Sequence, residues 1–442
     1  MRNPKKHLSF ESLRLVMEKE LRGVSDKRRV NQVNYSVYDV IMSGFSMMYF
    51  QDLSVLQFQE RMKEDQHQSN METVFKVLNI PKETQMREVT DEVNRNIFRP
   101  IFKEYLNRLQ RGKHLESYQL FPGTHYVAVD GSQYFGSEKV GCDHCLERKH
   151  RGGNVSYSHH ILQAAVMHPD KNQVLPLMPE EIRNEDGYEK QDCELNACKR
   201  LISNIRKDHP RLGITLGGDG LYAKQPIVEA ARSHGMNFIL VAKPDDHKIM
   251  MEWVNEQNQM GELQVKEFRD DKGRIHRYEW VNHIPLNGND KPVIVNFFRY
   301  FLIVNKSGKS KVTYKNSWVT DFEISGQNVE KLVRGGRCRW KIENECFNTL
   351  KNQGYNIEHN YGHGSKNLSF NFLLLTLLAF YFHQIFELTD HLYQTARKKL
   401  GSKQHLWENL RSIFRMFIVK SWQVLLEWIF DPSSHTPSTA SP

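Results

Sequence analysis

The sequence predicts an α/β protein in which a sheet is interrupted by a β-rich segment and flanked by helical regions. Three observations support this fold class. Between residues 119 and 248, short apolar runs alternate with a helical stretch, as in strands joined by helices. Residues 249–320 carry aromatic and β-branched residues between Gly, Asn and Asp turns. Apolar residues spaced by three and four indicate helices before residue 118 and after residue 321.

The N-terminal region, residues 1–118, is predicted to be helical. The candidate helices are Glu11–Leu21, Val37–Met62 and Asp91–Leu109, with a break at Pro81. Basic residues are dense in the first thirty positions, at Lys5, Lys6, Arg22, Lys27, Arg28 and Arg29. This density favours a DNA-binding domain, although a solvated helix bundle is the commoner cause of such a charged face.

The remaining elements follow in order along the chain. In residues 119–248 the candidate strands are Tyr126–Val129, Ile161–Met167, Ile214–Leu216 and Phe238–Ala242, with a helix over Pro226–Ser233. In residues 249–320 they are Arg277–Val281, Val293–Val304 and Lys311–Thr320. Helices are predicted again in residues 321–388, from Gln327 and over Asn367–Leu388, and in the Trp-containing region 389–430. Residues 431–442 are rich in Pro, Ser and Thr and are predicted to be a disordered tail.

Composition and charge narrow the class of protein. The 442 residues can hold two to four domains, and 39% hydrophobic residues suffice for their cores. Lys and Arg outnumber Asp and Glu by 61 to 52, which favours a polyanionic partner but also suits a mildly basic enzyme. Six cysteines are too few for a disulfide framework, so we expect a reducing cytoplasm. Polar residues interrupt Leu368–Phe386, which predicts a buried core helix and no membrane span.

Two aspartates each end a predicted strand and precede a glycine. Asp130 follows Tyr126–Val129, and Asp219 follows Ile214–Leu216. Strand ends are where sites form in α/β sheets, and a neighbouring glycine lets a ligand approach the backbone. Because Asp-Gly is equally a plain turn signal, either aspartate by itself leaves both interpretations open.

A third acidic residue, Glu343, lies in a predicted helix. At α-helical spacing it shares a face with Trp340, Phe347 and Leu350, whereas Glu345 faces the opposite, solvated side. A carboxylate aimed at the core requires a cationic partner, which is either a metal ion or an arginine one turn earlier. Three converging carboxylates would bind Mg²⁺, and two such ions about 4 Å apart catalyse phosphoryl transfer.

At these residues the chain resembles a known family. The segments VAVDGS, GGDGLY and RWKIENE resemble the catalytic segments of insertion-sequence DDE transposases whose RNase H-like core carries a β-rich insertion. The order of the motifs agrees, since 124 positions separate Asp219 from Glu343 and accommodate the insertion. The resemblance covers about residues 120–385. It implies an RNase H-like fold, two Mg²⁺ or Mn²⁺ ions, element terminal inverted repeats and target DNA as double-stranded DNA partners, and a homodimer in the synaptic complex.

The resemblance also implies roles for single residues. Asp130, Asp219 and Glu343 match the catalytic, metal-binding triad. Four further residues match or lie next to positions that contact DNA in the family, with Trp318 resembling a residue that stacks on a flipped base; they are Tyr222, Trp318, Arg339 and Lys351. A core position is the more frequent explanation of a tryptophan such as Trp318. The chain also departs from the family pattern, because Gly336 replaces a tyrosine and Leu350 replaces a lysine.

Cysteine and histidine residues provide a separate candidate metal site. Cys142 and Cys145 form a CxxC motif near His144, His150, His159 and His160. A single CxxC is a weak zinc signal, and reduced loop cysteines are the more frequent explanation. His359 and His363 are candidates for contacting DNA or capping the following helix.

The function expected from the sequence is a DNA transposase that cleaves the ends of a mobile element and joins them to target DNA. Its expected location is the prokaryotic cytoplasm, in association with the nucleoid. One alternative is another RNase H-like nuclease, of resolvase or repair type. A second is a domesticated DNA-binding protein without activity. The β-rich insertion counts against the first, and the intact carboxylates count against the second.

Overall fold

A mixed sheet of twelve strands is the main element of the computed structural model, which describes residues 7–26, 28, 33–62, 64–184, 191–306 and 309–431. The strands are β1 Gln119–Phe121, β2 Thr124–Ser137, β3 Leu146–Lys149, β4 Val155–Met167, β5 Leu175–Pro176, β6 Glu180–Ile182, β7 Gly213–Gly218, β8 Asn237–Val241, β9 Gln264–Arg269, β10 Ile275–Pro285, β11 Ile294–Lys306 and β12 Lys309–Thr320. Their order is β3-β4-β2-β7-β8-β12-β11-β10-β9, with β1 paired to β2 and both β5 and β6 paired to β4.

Helices precede, interrupt and follow the sheet. The α-helices of the described residues are α1 Phe10–Arg22, α2 Val37–Tyr49, α3 Val55–Arg61, α4 Asp65–Asn70, α5 Glu83–Glu92, α6 Arg99–Arg111, α7 Glu194–Asp208, α8 Gln225–Ser233, α9 Lys248–Gln259, α10 Val329–Cys338, α11 Asn348–Asn352, α12 Leu368–Thr389, α13 His391–Leu400, α14 Lys403–Met416 and α15 Trp422–Glu427. Two π-helices add Met71–Phe75 and Ile342–Phe347. The predicted mixed α/β class is therefore confirmed.

The strands of the β-rich segment continue the same sheet. β12 pairs antiparallel with β8, and β11, β10 and β9 follow it outward in antiparallel order. All three strands predicted in this segment are present, with a further strand at β9. The segment begins within α9, however, so residues 249–259 are helical rather than β-structured.

The strand that carries Asp130 is longer than predicted. β2 pairs in parallel with β7 only as far as Ala128 opposite Gly217, but its antiparallel pairing with β4 continues to Ser137. Asp130 therefore does not end its strand. It lies two residues beyond the point where β2 loses its parallel neighbour, which leaves that side of the strand open.

Two long predicted helices are broken. The stretch Val37–Met62 divides into α2 and α3, because Gln51 adopts a left-handed conformation and Ser54 caps the second helix. The stretch Asp91–Leu109 divides into the end of α5, a 3₁₀ turn and α6, which has a proline in its first turn. Apolar spacing alone does not reveal such interruptions, since both halves keep the helical period.

The apolar helix α12 forms the centre of the helical core. By length and composition it is the one helix of the described residues that could cross a membrane, but 83% of its most apolar window is buried. It packs against α2 and α5 from the N-terminal region. The prediction of a buried core helix at this position is confirmed.

Some sequence predictions lie outside the described residues. These are the tail from residue 432 onward and the basic residues Lys5, Lys6, Lys27 and Arg29. The other two members of the basic group are paired within the chain: Arg22 contacts Glu18 at 2.9 Å, and Arg28 contacts Asp26 at 2.6 Å.

Candidate active site and metal centre

Two of the three predicted carboxylates lie on adjacent parallel strands. Asp130 is on β2, and Asp219 directly follows β7, its parallel neighbour. One oxygen of Asp219 accepts the backbone N–H of Leu221 at 2.8 Å, which closes a tight turn after the strand. The interpretation of Asp-Gly as a turn therefore holds for this oxygen of Asp219. The second carboxylate oxygen of Asp219 is left for a different role, such as binding a metal ion.

A fourth carboxylate, missed in the sequence, lies beside this pair. Glu194 begins α7, and a Cβ atom on Gly131 would lie only 2.5 Å from its Oε1 atom. The glycine after Asp130 is therefore needed for the close approach of Glu194 to β2. No local motif marks Glu194, because it lies 63 positions after Gly131 and only the fold brings the two residues together.

Tyr222 holds Glu194 in place. Its hydroxyl donates a hydrogen bond to Glu194 Oε2 at 2.9 Å, and its side chain is fully buried. Burial and the adjacent Glu194 carboxylate raise the pKa of the tyrosine. The expectation that Tyr222 contacts DNA is therefore wrong for this conformation, since no part of the ring is accessible.

Glu343 reaches the same region from the π-helix Ile342–Phe347. Arg339 lies between Glu343 and the strand that carries Asp130. Its Nη1 atom is 2.6 Å from Glu343 Oε1 and 3.9 Å from Asp130 Oδ2. The Arg–Glu pair anticipated as one partner for Glu343 is therefore present. π-Helical turns are rare and occur frequently at functional sites.

The electrostatics of Asp130 show that the acidic groups are close enough to interact. Burial raises the pKa of Asp130 to about 6, opposed by Arg339 and reinforced by the carboxylates of Glu343 and Asp219. The site thus concentrates more negative charge than its one arginine offsets. A divalent cation would relieve this excess.

The predicted phase of the Glu343 helix is wrong. The Glu343 side chain is 52% exposed, Trp340 is also exposed, and Glu345 is half-buried. The cause is the π-helix, whose i→i+5 hydrogen bonds place more residues in each turn than an α-helix does. Glu345 lines a cleft of 1290 Å³ that is lined by none of the three predicted carboxylates.

The remaining predicted DNA contacts are placed as follows. Trp318 is fully buried on β12, stacked on Phe298 with ring centroids 5.3 Å apart, and cannot receive a base. The core position that the sequence favoured for this tryptophan is therefore confirmed. Lys351 forms an ion pair with Glu358 at 2.7 Å and is partly exposed. Arg339 is thus the one of these four residues that directly contacts a triad carboxylate.

A second cluster brings together Cys142, Cys145, His159 and His363. Their ligand atoms all lie within 4.8 Å of one another, so the cluster could hold a metal ion. It is the one such group of His, Cys, Asp and Glu residues among those the structure describes. Two sulfur and two nitrogen donors indicate zinc rather than magnesium.

The structure selects among the histidines near the CxxC motif. His144 bonds the carbonyl of Asn184, and His150 and His160 bond the hydroxyls of Ser156 and Ser158. Only His159 turns toward the sulfurs. His363 lies 218 positions after Cys145 and was not connected with it in the sequence.

Comparison with models of known protein families and with curated proteins finds no match for this chain. The function must therefore be argued from the carboxylate site and the Cys/His cluster themselves. Fold class by itself does not identify an activity.

Proposed function

We propose that the protein is a DNA transposase that cleaves the ends of a mobile element and joins them to target DNA by phosphoryl transfer. The observation that carries this proposal is that Asp130 lies on β2 and Asp219 just after its parallel neighbour β7, while both Asp219 and Glu343 act electrostatically on Asp130. Metal-assisted phosphoryl transfer requires such a set of hard oxygen ligands.

The topology supports an RNase H-like core with an insertion. The two aspartates are on adjacent parallel strands, and the helix with Glu343 packs against β2. Strands β9–β12 lie between the second aspartate and this helix in the sequence and extend the sheet past β8. This strand order and the place of the Glu343 helix are what support the RNase H-like fold proposed from the resemblance.

Mg²⁺ or Mn²⁺, as two ions, would be held by Asp130, Asp219 and Glu343. The raised pKa of Asp130 supports this, because burial, with a smaller effect of Glu343 and Asp219, disfavours its bare negative charge, which a cation would stabilise. The three carboxylates need not meet at one point, since a two-ion site spans about 4 Å between its metals. When bound, such ions activate the attacking oxygen and stabilise the leaving oxygen.

The neighbouring side chains orient this site. Arg339 holds Glu343 through a 2.6 Å ion pair, and its Nη1 atom lies 3.9 Å from Asp130 Oδ2. Its guanidinium group can exchange the Glu343 carboxylate for a DNA phosphate, which an arginine can bind in a bidentate manner. Glu194, held by Tyr222, adds a further carboxylate next to the Asp130 strand.

The proposed partners are the terminal inverted repeats of the element and its target DNA, bound by two copies of the chain in the prokaryotic cytoplasm. The excess of 61 basic over 52 acidic residues supports a polyanionic partner. Affinity for DNA should therefore fall steeply as salt concentration rises.

The test is cleavage of a duplex that carries the inverted repeats flanking the gene, with Mg²⁺ and a plasmid target. We expect cleavage at the repeat ends and joining to the plasmid. Asp219→Asn should abolish both, whereas Asp245→Asn, which removes the same charge from an exposed position in the 3₁₀ turn Pro244–Asp246, should leave both unchanged.

Three outcomes would contradict the proposal. Cleavage that ignores the repeats would indicate another RNase H-like nuclease. Specific binding of the repeats without cleavage in Mg²⁺ or Mn²⁺ would indicate a DNA-binding protein without activity. An active Asp219→Asn variant would exclude this carboxylate from the site.

A further inference from the structure

We propose that Cys142, Cys145, His159 and His363 bind one zinc ion in a closed, four-coordinate site. The site would fasten the β2–β4 hairpin to the segment between α11 and α12. Its role would be structural, because the chain supplies all four ligands and leaves no position for a substrate.

The distances between the ligand atoms match a zinc tetrahedron. Zn–S bonds of about 2.3 Å and Zn–N bonds of about 2.0–2.1 Å give edges of about 3.8 Å for S···S, about 3.6 Å for S···N and about 3.4 Å for N···N. The Cys142 and Cys145 sulfurs are 3.8 Å apart. The His159 Nε2 atom lies 3.7 Å and 3.4 Å from those sulfurs.

The fourth ligand adds two further distances of similar length. The His363 Nε2 atom lies 3.4 Å from Cys145 Sγ and 3.1 Å from His159 Nε2. Two imidazole nitrogens that face each other across 3.1 Å need either a shared proton or a cation between them. Both histidines thus direct their Nε2 atoms toward one point. In the proposed site, all four ligand atoms coordinate the zinc ion at that point.

The surroundings of His159 supply an independent sign of a metal ligand. Its other nitrogen, Nδ1, is buried, has no hydrogen-bond partner and lies 3.8 Å from Glu181 Oε1. When Nε2 binds a metal, the imidazole proton resides on Nδ1 and points toward a carboxylate, the usual arrangement around ligating histidines. Glu181 is itself held by the Tyr134 hydroxyl and by Arg95.

The loop that contains His363 is held in position by hydrogen bonds of its own. The Asp91 carboxylate accepts backbone N–H groups from four consecutive residues at 2.9–3.0 Å, namely Ser365, Lys366, Asn367 and Leu368. The His363 ring also packs on Phe135 of β2, with centroids 4.5 Å apart. A ligand positioned in this way loses little further entropy when the metal binds.

The zinc site connects the two halves of the carboxylate site. β2 carries Asp130 and reaches the cluster at Phe135, while His363 belongs to the segment that follows the Glu343 helix. Metal binding, with release of two thiol protons, would fix these segments relative to each other. This positioning role rests on the proposed function, whereas zinc binding and stabilisation do not.

The experiment measures zinc in the full-length protein, purified without chelators from zinc-supplemented cells. We expect about one zinc per chain, and a zinc X-ray absorption spectrum with two sulfurs at about 2.3 Å and two nitrogens at about 2.0 Å. His159→Asn and His363→Asn should lose zinc and melt at lower temperature. His160→Asn and His359→Asn, neighbouring histidines outside the cluster, should retain both properties.

Protein without zinc, or with zinc bound through a different ligand set, would overturn the proposal. So would full zinc content and an unchanged absorption spectrum in His363→Asn. The spectrum of the wild-type protein decides the question even if the ligand variants do not fold. Wild-type protein that contains zinc but does not cleave end-containing DNA would contradict the proposed function. It would not contradict the zinc site.

Discussion

Without bound metal, the ionised Asp130 carboxylate should lower the free energy of unfolding. Asp130→Asn should therefore stabilise the metal-free protein. The substitution keeps the size of the side chain and removes its charge. Burial and two neighbouring carboxylates raise the pKa of Asp130 from 3.8 to about 6. Since one pKa unit corresponds to about 1.4 kcal/mol, the ionised carboxylate costs roughly 3 kcal/mol of folding free energy at neutral pH.

The sign of this effect fixes its pH dependence. Between about pH 4 and pH 6 the folded state binds more protons at Asp130 than the unfolded state does, so stability falls as pH rises through that window. An asparagine does not titrate. The variant should therefore match the wild type near pH 4 and exceed it above pH 6.

Thermal melting in buffers from pH 4.5 to 8, without added divalent metal, measures this difference. A gain of roughly 3 kcal/mol corresponds to a rise in Tm of about 3 °C for a chain of this length. Asp245→Asn makes the same change in net charge at an exposed position of a 3₁₀ turn and should leave Tm unchanged. Mg²⁺ should raise the Tm of the wild type but not that of Asp130→Asn.

Two results would refute this reasoning. If Asp130→Asn melts below the wild type at pH 8, the carboxylate makes favourable contacts that outweigh its burial. If the gain is the same at pH 4.5 and pH 8, it does not arise from ionisation of Asp130.

Three further substitutions test other contacts of the structure. Gly131→Ala should displace Glu194 and lower the rate of DNA cleavage, while Gly152→Ala, whose added Cβ meets nothing within 4 Å, should cleave like the wild type. Tyr222→Phe should lower stability by roughly 1.5–3 kcal/mol in thermal melts, because it removes a hydrogen bond to a charged group. Trp318→Ala should cost roughly 3–5 kcal/mol by the same measurement, as expected of a buried core side chain.

Local patterns were sufficient to predict most of the elements. Apolar β-branched runs between turn residues located β7, β8 and β10–β12, and helical spacing located α1, α8 and α12. The sequence also singled out Asp130 and Asp219, because an acidic residue and a glycine follow an apolar run in each case. These signals depend on neighbouring residues, which is why they can be detected in one sequence.

Features that depend on pairing or on hydrogen-bond register were not predictable in this way. β2 extends beyond Asp130 only because β4 continues to pair with it. The face of the helix with Glu343 depends on i→i+5 hydrogen bonds, which apolar spacing does not encode. His363 is far in the sequence from the cysteines of the zinc cluster, and Glu194 is far from Asp130. Only the fold brings each of them to its site. The one local sign of a constrained position at His363 was its place between Gly362 and Gly364. Both glycines have positive φ in the structure.

The most direct test of the active-site assignment compares Glu343→Gln with Glu345→Gln. Only the first of these residues contacts Arg339 and acts electrostatically on Asp130, while the second lines a separate cleft. Cleavage of end-containing duplex in Mg²⁺ should fall by several orders of magnitude in Glu343→Gln and remain near the wild-type rate in Glu345→Gln, with equal folding in both. An active Glu343→Gln protein beside an inactive Glu345→Gln protein would contradict the assignment of the third carboxylate.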